Sequence, residues 1–172
     1  MTPPPTAIAS YQDLVGFMDR EAVPHQVEPA SLSVRIPTEQ KGIQGVQIIR
    51  WQPDDGVVQF IQSMLRDIPE ARLPALESAI ARLNHALAWL GLDLNHSRRL
   101  LAYRLAIPFL PRGYVEPREI QAGFRAAAKA GADLAAALAR VVSGELAPEA
   151  IVGEVRATQA TPATSSYPLP ID

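Results

Sequence analysis

The strongest hydrophobic pattern in the chain is a stripe of aliphatic residues between positions 73 and 90. Apolar residues recur there at every third or fourth position, and this spacing keeps side chains on one face of an α-helix. The stripe consists of Leu73, Leu76, Ile80, Leu83, Leu87 and Leu90. Gly91 follows and should end the helix, since glycine readily takes the left-handed conformation of a C′ residue. The pattern predicts one long amphipathic helix at the centre of the fold.

Alternating apolar and polar positions on either side of this helix predict β-strands. The strands are expected at residues 32–36, 46–51, 57–65, 92–94 and 99–107. Residues 53–56, Pro-Asp-Asp-Gly, are typical of a turn, because proline presets φ, aspartate bonds its own backbone and glycine accepts positive φ. The second and third strands should therefore form an antiparallel hairpin.

These two strands carry large apolar side chains on both faces. Side chains on a strand alternate between its faces. The opposed sets are Val46 and Ile48 against Ile49 and Trp51, and Val57, Ile61 and Leu65 against Val58, Phe60 and Met64. A sheet with helices on one side and water on the other should alternate more cleanly. We therefore expect a second subunit or a partner to cover one face.

Five residues are expected at that interface, namely Trp51, Val58, Phe60, Met64 and Arg104. Arg104 belongs to this set because it shares a face of the last strand with the small residues Ala102 and Ala106. A guanidinium there suits bidentate pairing with an acidic group of a partner. The alternative for Arg104 is an ordinary surface charge or an intramolecular ion pair.

Helices are expected before and after the strands. Ser10 should cap a short helix that ends near Glu21, and Pro117 should start an alanine-rich helix that ends near Val142. A last short helix is expected from Pro148 to about Arg156. The resulting order is α-β-β-β-α-β-β-α plus a short C-terminal helix, an α+β fold with an antiparallel sheet packed with helices.

The ends of the chain differ in composition from this middle part. Residues 1–9 are rich in proline and threonine and are expected to form a flexible N-terminal arm. Residues 10–157 should form a single α+β domain, since no internal linker interrupts the pattern. Residues 158–172 are a tail rich in Pro, Thr and Ser.

Charge and composition narrow the class of protein. The chain has 172 residues, a net charge of −2 and no cysteine. A nucleic-acid partner is not expected, because phosphate binding needs a basic surface. The absence of thiols fits a reducing compartment. The first residues lack the basic start and apolar run of a signal peptide, and the alanine-rich region contains charges, so a cytoplasmic protein without a membrane partner is expected.

Candidate catalytic and metal-binding residues are few. His85, Trp89 and Tyr103 are candidates to line a pocket between sheet and helices, but His25, His85 and His96 lack the spacing of metal ligands. The adjacent carboxylates of the turn at 53–56 should face water rather than work as an acid–base pair. No serine lies in a Gly-x-Ser-x-Gly elbow and no glycine-rich phosphate loop is present. We therefore expect no catalytic residue, metal or cofactor.

The chain resembles a known bacterial family at several positions. These are Leu83-Asn84 in the central helix, Gly91-Leu92-Asp93-Leu94 at its exit, Tyr103-Arg104 with Pro108 on the next strand, and Asp133 in the trailing helix. Together they resemble the YbjN-type family, often described as sensory transduction regulators, within the type III secretion chaperone-like fold. The resemblance implies a homodimeric, non-enzymatic protein that binds a protein segment or regulates a process.

Three functions are compatible with the sequence. The first is a non-enzymatic protein-binding or chaperone-like regulator acting as a homodimer. The second is a small-molecule-binding or enzymatic domain with a pocket between sheet and helices. The third is a secretion-system chaperone that binds an effector segment along a sheet edge or a helix groove.

Overall fold

Four α-helices lie within the residues that a computed structural model of the protein describes, which are 6–40, 43–86 and 91–160. They are α1 (Tyr11–Arg20), α2 (Leu73–Ala86), α3 (Pro117–Ser143) and α4 (Ile151–Ala160). The predicted N-cap of α1 and the predicted first residue of α3 are confirmed. The Ser10 hydroxyl accepts a hydrogen bond from the Asp13 N–H at 3.1 Å, and Pro117 is the first residue of α3. The predicted helix positions Leu87 and Leu90 lie outside the described residues.

Six β-strands are present in the same described residues. They are β1 (Gln26–Glu28), β2 (Ser33–Gln40), β3 (Ile43–Gln52), β4 (Val57–Leu65), β5 (Leu92–Asn95) and β6 (Leu100–Pro108). The element order is therefore α-β-β-β-β-α-β-β-α-α, with one strand more than the sequence predicts. The additional strand, β1, has three residues, and three residues are too few to display an alternation.

The strands form an antiparallel sheet in the order β1-β2-β3-β4-β6-β5, which confirms the predicted α+β class. Ser33 pairs with Arg50, Arg35 with Ile48, Pro37 with Val46, and Glu39 with Gln44. Because side chains alternate along a strand, these pairs lie on one face of the sheet and the intervening pairs, such as Val34 with Ile49, lie on the other.

The described residues divide into two compact units. Among the described residues, the first unit comprises 6–61 together with Leu105–Ala128, and the second comprises Gln62–Arg104 together with 129–160. The strands β4 and β6 and the helix α3 contribute residues to both units. The single domain expected over residues 10–157 stays a prediction.

In the first unit, α1 and the N-terminal half of α3 cover one face of the strands. Phe17 of α1, Ile36 of β2 and Phe124 of α3 line a shallow apolar depression. The side-chain amide of Gln47 on β3 donates a hydrogen bond to the Phe124 carbonyl at 3.2 Å. Trp51 of β3 stacks on Phe109, with ring centroids 4.5 Å apart. These contacts define the core of the first unit.

The small residues of α3 allow it to lie close to β4. Gly123 is placed so that an added Cβ would lie 2.6 Å from Cε2 of Phe60. Gly131, two turns further along, is in the same relationship to Gln62, with 2.6 Å to its Cγ. The glycines therefore set the distance between α3 and the strand, and the alanine-rich helix packs against the sheet.

The second unit has its own apolar core. The helix α2 contacts α4 and β5, and it buries Leu76 and Leu83 as the predicted stripe requires. On α4, Ile151 and Val155 are buried. Gly91 lies directly before β5, and a side chain there would collide with the Arg104 carbonyl. The predicted left-handed end of the helix at Gly91 stays a prediction, because residues 87–90 lie outside the described residues. The C-terminal helix, which extends to Ala160 rather than ending at Arg156, thus packs on α2.

At Ile8 the structure differs from the flexible arm that the sequence predicts for residues 1–9. Ile8 is fully buried, and its backbone N–H and C=O bond those of Val115, each at 2.9 Å. An apolar side chain with a paired backbone is part of the first unit's core. The arm's residues 1–5 and the tail's residues 161–172 lie outside the described residues.

Candidate protein-binding face of the sheet

The strands of the first unit have one covered face and one open face. On β4, Val58 and Phe60 are fully buried, whereas the residues between and beside them are half-buried. On β3, Ile49 and Trp51 are buried, and Val46, Ile48 and Arg50 are half-buried. We call the second set the open face, defined by Arg35, Pro37 and Glu39 of β2, Val46, Ile48 and Arg50 of β3, Val57, Gln59 and Ile61 of β4, and Ala106 of β6.

The prediction of interface residues was wrong for Trp51, Val58 and Phe60. These residues are 4%, 0% and 0% exposed within this chain. Phe109 stacks on Trp51, and Gly123 of α3 lies against Phe60. A buried side chain is not available to a second molecule. Both faces of the hairpin are apolar in sequence, so the alternation alone does not tell which face the helices cover.

The two remaining interface candidates belong to the second unit. Met64 is half-buried. Arg104 is exposed, and its guanidinium forms an ion pair with Asp93 of β5 at 2.7 Å. The structure thus gives Arg104 the intramolecular ion pair that the sequence left as the alternative. The small residues Ala102 and Ala106 share its face of β6, as predicted.

Part of the open face is apolar. Val46 and Ile48 stand next to each other along β3, and Val57 and Ile61 lie on the corresponding side of β4. The contacts that α1 and α3 make with Ile36, Gln47 and Phe60 lie on the opposite face. Tyr11 of α1 also donates a hydrogen bond to the backbone carbonyl of Ser33 at 3.1 Å. Aliphatic side chains of one sheet face therefore remain in partial contact with solvent.

The charged part of the open face begins with an ion pair between β1 and β2. Glu28 accepts a hydrogen bond from the Arg35 guanidinium at 3.0 Å, and its second oxygen is 3.4 Å from the hydroxyls of Ser31 and Ser33. The hydrogen bond from Arg35 is the main reason that the pKa of Glu28 lies below its ordinary value. The carboxylate of Glu28 is therefore already engaged within its own chain.

Arg50 differs from Arg35 in its partners. Glu28, Ser33 and Arg50 occupy one row across β1, β2 and β3, yet Glu28 bonds Arg35 instead. The Nε of Arg50 is buried and has no hydrogen-bond partner among the residues that the structure describes. A buried donor without a partner carries a desolvation cost. Arg50 was not among the predicted site residues, although its position in the alternation could have identified it.

The proposed pocket near the central helix is not assembled by the described residues. His85 is exposed on α2, Tyr103 is buried on β6, and Trp89 lies outside the described part of the chain. Burial raises the pKa of the Tyr103 phenol. The apolar depression described above lies instead between α1 and α3 and is lined by neither His85 nor Tyr103.

The histidines lie in separate places. His25 has its Nδ1 2.8 Å from the Val23 carbonyl oxygen, and the His96 Nε2 lies 2.9 Å from Glu77. Over residues 6–40, 43–86 and 91–160, no three His, Asp or Glu side chains are grouped in a way that could hold a metal ion. Asp54 and Asp55 are exposed in the turn between β3 and β4, and Asp55 accepts a hydrogen bond from Gln52 at 3.0 Å. That arrangement is a turn, as predicted.

Two further observations concern membrane-spanning helices and similarity to known proteins. No helix in the described ranges is long and apolar enough to cross a membrane. The resemblance to the YbjN-type family stays a prediction from the sequence residues quoted above. Comparisons with protein-family models, with curated proteins and with solved structures found no match to this chain.

Proposed function

We propose that this chain is a non-enzymatic protein-binding protein that acts as a homodimer, and that two copies meet through the open face. The observation that carries the proposal is the half-buried aliphatic group on the open face, centred on Val46, Ile48 and Ile61. The same proposal includes the cytoplasmic location and the chaperone-like regulatory role expected from the sequence.

The energetic argument is the removal of apolar surface from water. Each 100 Å² of apolar area covered by a second molecule contributes about 2.5 kcal/mol. Two facing sheets pack about 10 Å apart, with interdigitated side chains from both inner faces. Val and Ile are well suited to such a layer, because their branched side chains are stiff and lose little entropy on packing. The open face offers these side chains on two adjacent strands.

A matched pair of substitutions tests this proposal. Ile48→Asp places a charge in the middle of the open face and should convert the dimer to a monomer, measured as molar mass by light scattering during size-exclusion chromatography. Val27→Asp is the control, since Val27 is 47% exposed on β1 and lies outside the open face. An unchanged mass for Ile48→Asp, or a wild-type protein that is monomeric at every concentration, would contradict the proposal.

A further inference from the structure

The register of β2 and β3 gives the open face a self-complementary order of charges and apolar groups. Along this face the successive rows contain Ser33 with Arg50, Arg35 with Ile48, Pro37 with Val46, and Glu39 with Gln44. Arg50 thus stands at one end and Glu39 at the other. The two rows are six residues apart along β2, which corresponds to about 20 Å of strand.

A two-fold axis across the strands would pair these ends. We consider an axis that lies in the interface, runs perpendicular to the strands and passes over the row that contains Ile36 and Gln47. Such an axis reverses the direction along the strands. Row Ser33–Arg50 of one copy then faces row Glu39–Gln44 of the other. The same axis brings Ile48 opposite Val46 of the second copy. The axis preserves the order of the strands, so β3 faces β3, and Arg50 on β3 lies one strand, about 5 Å, to the side of Glu39 on β2 of the other copy. A long arginine side chain can span that offset. One operation therefore brings opposite charges near each other at both ends and aliphatic side chains together in the middle.

We infer that, in the dimer proposed above, Arg50 of each copy binds Glu39 of the other copy, and that this pair sets the register of the two sheets. The inference rests on the proposed function, and it adds which residues meet. In an isologous interface every contact occurs twice, so one choice of axis creates two ion pairs.

The partners available to Arg50 within its own chain support this assignment. The carboxylate in its own row, Glu28, is held by Arg35 and two serine hydroxyls. Glu39 is exposed on the open face, so it is accessible to a second molecule. A carboxylate accepts several hydrogen bonds, so contacts of Glu39 within its own chain are compatible with an additional one from a guanidinium.

The opposite choice of axis is less favourable. An axis parallel to the strands would keep each row opposite the same row of the other copy, so that Arg50 would stay about 20 Å along the strands from Glu39 of the other copy. That arrangement forms no ion pair between Arg50 and Glu39, and an axis directly over β3 would in addition oppose the two Arg50 side chains, which repel each other. The charges of the open face therefore select between two ways of stacking the same apolar residues.

Charge reversal with rescue tests the inference. The dimer dissociation constant is measured by sedimentation equilibrium at low salt for wild type, Arg50→Glu, Glu39→Arg and the variant that carries both changes. Each single reversal should weaken the dimer about 10-fold to 100-fold. The double variant, in which both ion pairs are restored with opposite polarity, should return to within about threefold of wild type. Circular dichroism confirms that each variant is folded.

Arg156→Glu provides the control for net charge, because Arg156 is exposed on α4 and the substitution changes the charge by the same amount. It should leave the dissociation constant unchanged. If Ile48→Asp abolishes the dimer while both single reversals leave it intact, the register inference is overturned and the proposed function stands. Single reversals that weaken the dimer without recovery in the double variant also overturn the inference. A mass that does not respond to Ile48→Asp overturns the proposed function and the inference together.

Discussion

Gly123 of α3 lies directly over the ring of Phe60 on β4, so close that a Cβ at position 123 would be 2.6 Å from Phe60 Cε2 and 3.0 Å from Cδ1 of Ile107. This contact closes one face of the sheet in the first unit. The opposite face, with Ile48 and Ile61, keeps partial contact with solvent. The assignment of the two faces therefore depends on a helix residue that has no side chain.

Gly123→Ala should destabilise the protein by about 1–3 kcal/mol, because the added methyl group forces Phe60 or the helix to move. Gly153→Ala is the matched control, since Gly153 lies within α4 and nothing would lie within 4 Å of its Cβ. That substitution should stabilise by about 0.5–1 kcal/mol through helix propensity. Chemical denaturation measures both changes. Equal effects of the two substitutions would show that α3 does not lie against Phe60.

Phe60→Asp and Ile61→Asp should have opposite consequences although the residues are adjacent. Phe60 is fully buried, so a carboxylate there has no water or partner and the cooperative fold should be lost. Ile61 is half-buried on the open face, so Ile61→Asp should remain folded. Thermal unfolding followed by circular dichroism distinguishes them. A folded Phe60→Asp together with an unfolded Ile61→Asp would reverse the assignment of the faces.

The ion pair between Glu28 and Arg35 predicts a local pH dependence. The Arg35 hydrogen bond lowers the pKa of Glu28 below its ordinary value of 4.5. The stabilisation from this pair is therefore fully present above pH 4.5 and is lost as the pH falls through the lower pKa of the folded state. Carbon-detected NMR titration of the Glu28 carboxyl measures the midpoint.

Arg35→Gln should move that midpoint upward, toward the ordinary value, because the largest cause of the shift is removed. The serine hydroxyls that also bond Glu28 remain in this variant, and they oppose the upward effect of desolvation on the pKa of Glu28. A midpoint that is identical with and without Arg35 would be incompatible with the ion pair.

The periodic elements could be predicted from the sequence, because their signals are local. The stripe from Leu73 to Leu83 predicted α2, and the turn at 53–56 predicted the pairing of β3 with β4. The choice of the covered face could not be predicted in this way. Val58 and Phe60 look as apolar as Val57 and Ile61, and the difference between them arises from the approach of α3 at Gly123, 63 residues further along the chain.

The candidate site was missed for a related reason. Arg50 and Glu39 are unremarkable charges in the sequence, and their placement at opposite ends of one face depends on the register of β2 against β3. Register is set by the pairing of two strands and not by either strand alone. β1, which supplies Glu28, has three residues and gave no periodic signal.

Cysteine labelling at two adjacent isoleucines tests the assignment of the faces and the dimer together. The chain has no cysteine, so Ile48→Cys and Ile49→Cys each carry a single thiol. Ile49 is fully buried and Ile48 is half-buried on the open face. In dilute protein, the thiol at position 49 should react with a soluble reagent at least about 100-fold more slowly, since it reacts only through transient opening.

Raising the protein concentration should then slow the reaction at position 48, because the second copy covers it, while position 49 stays slow throughout. This concentration-dependent protection at 48 is the result that the account predicts. Equal reactivity of the two thiols in dilute protein would contradict the assignment of the faces, and a rate at position 48 that is the same at every concentration would contradict the dimer.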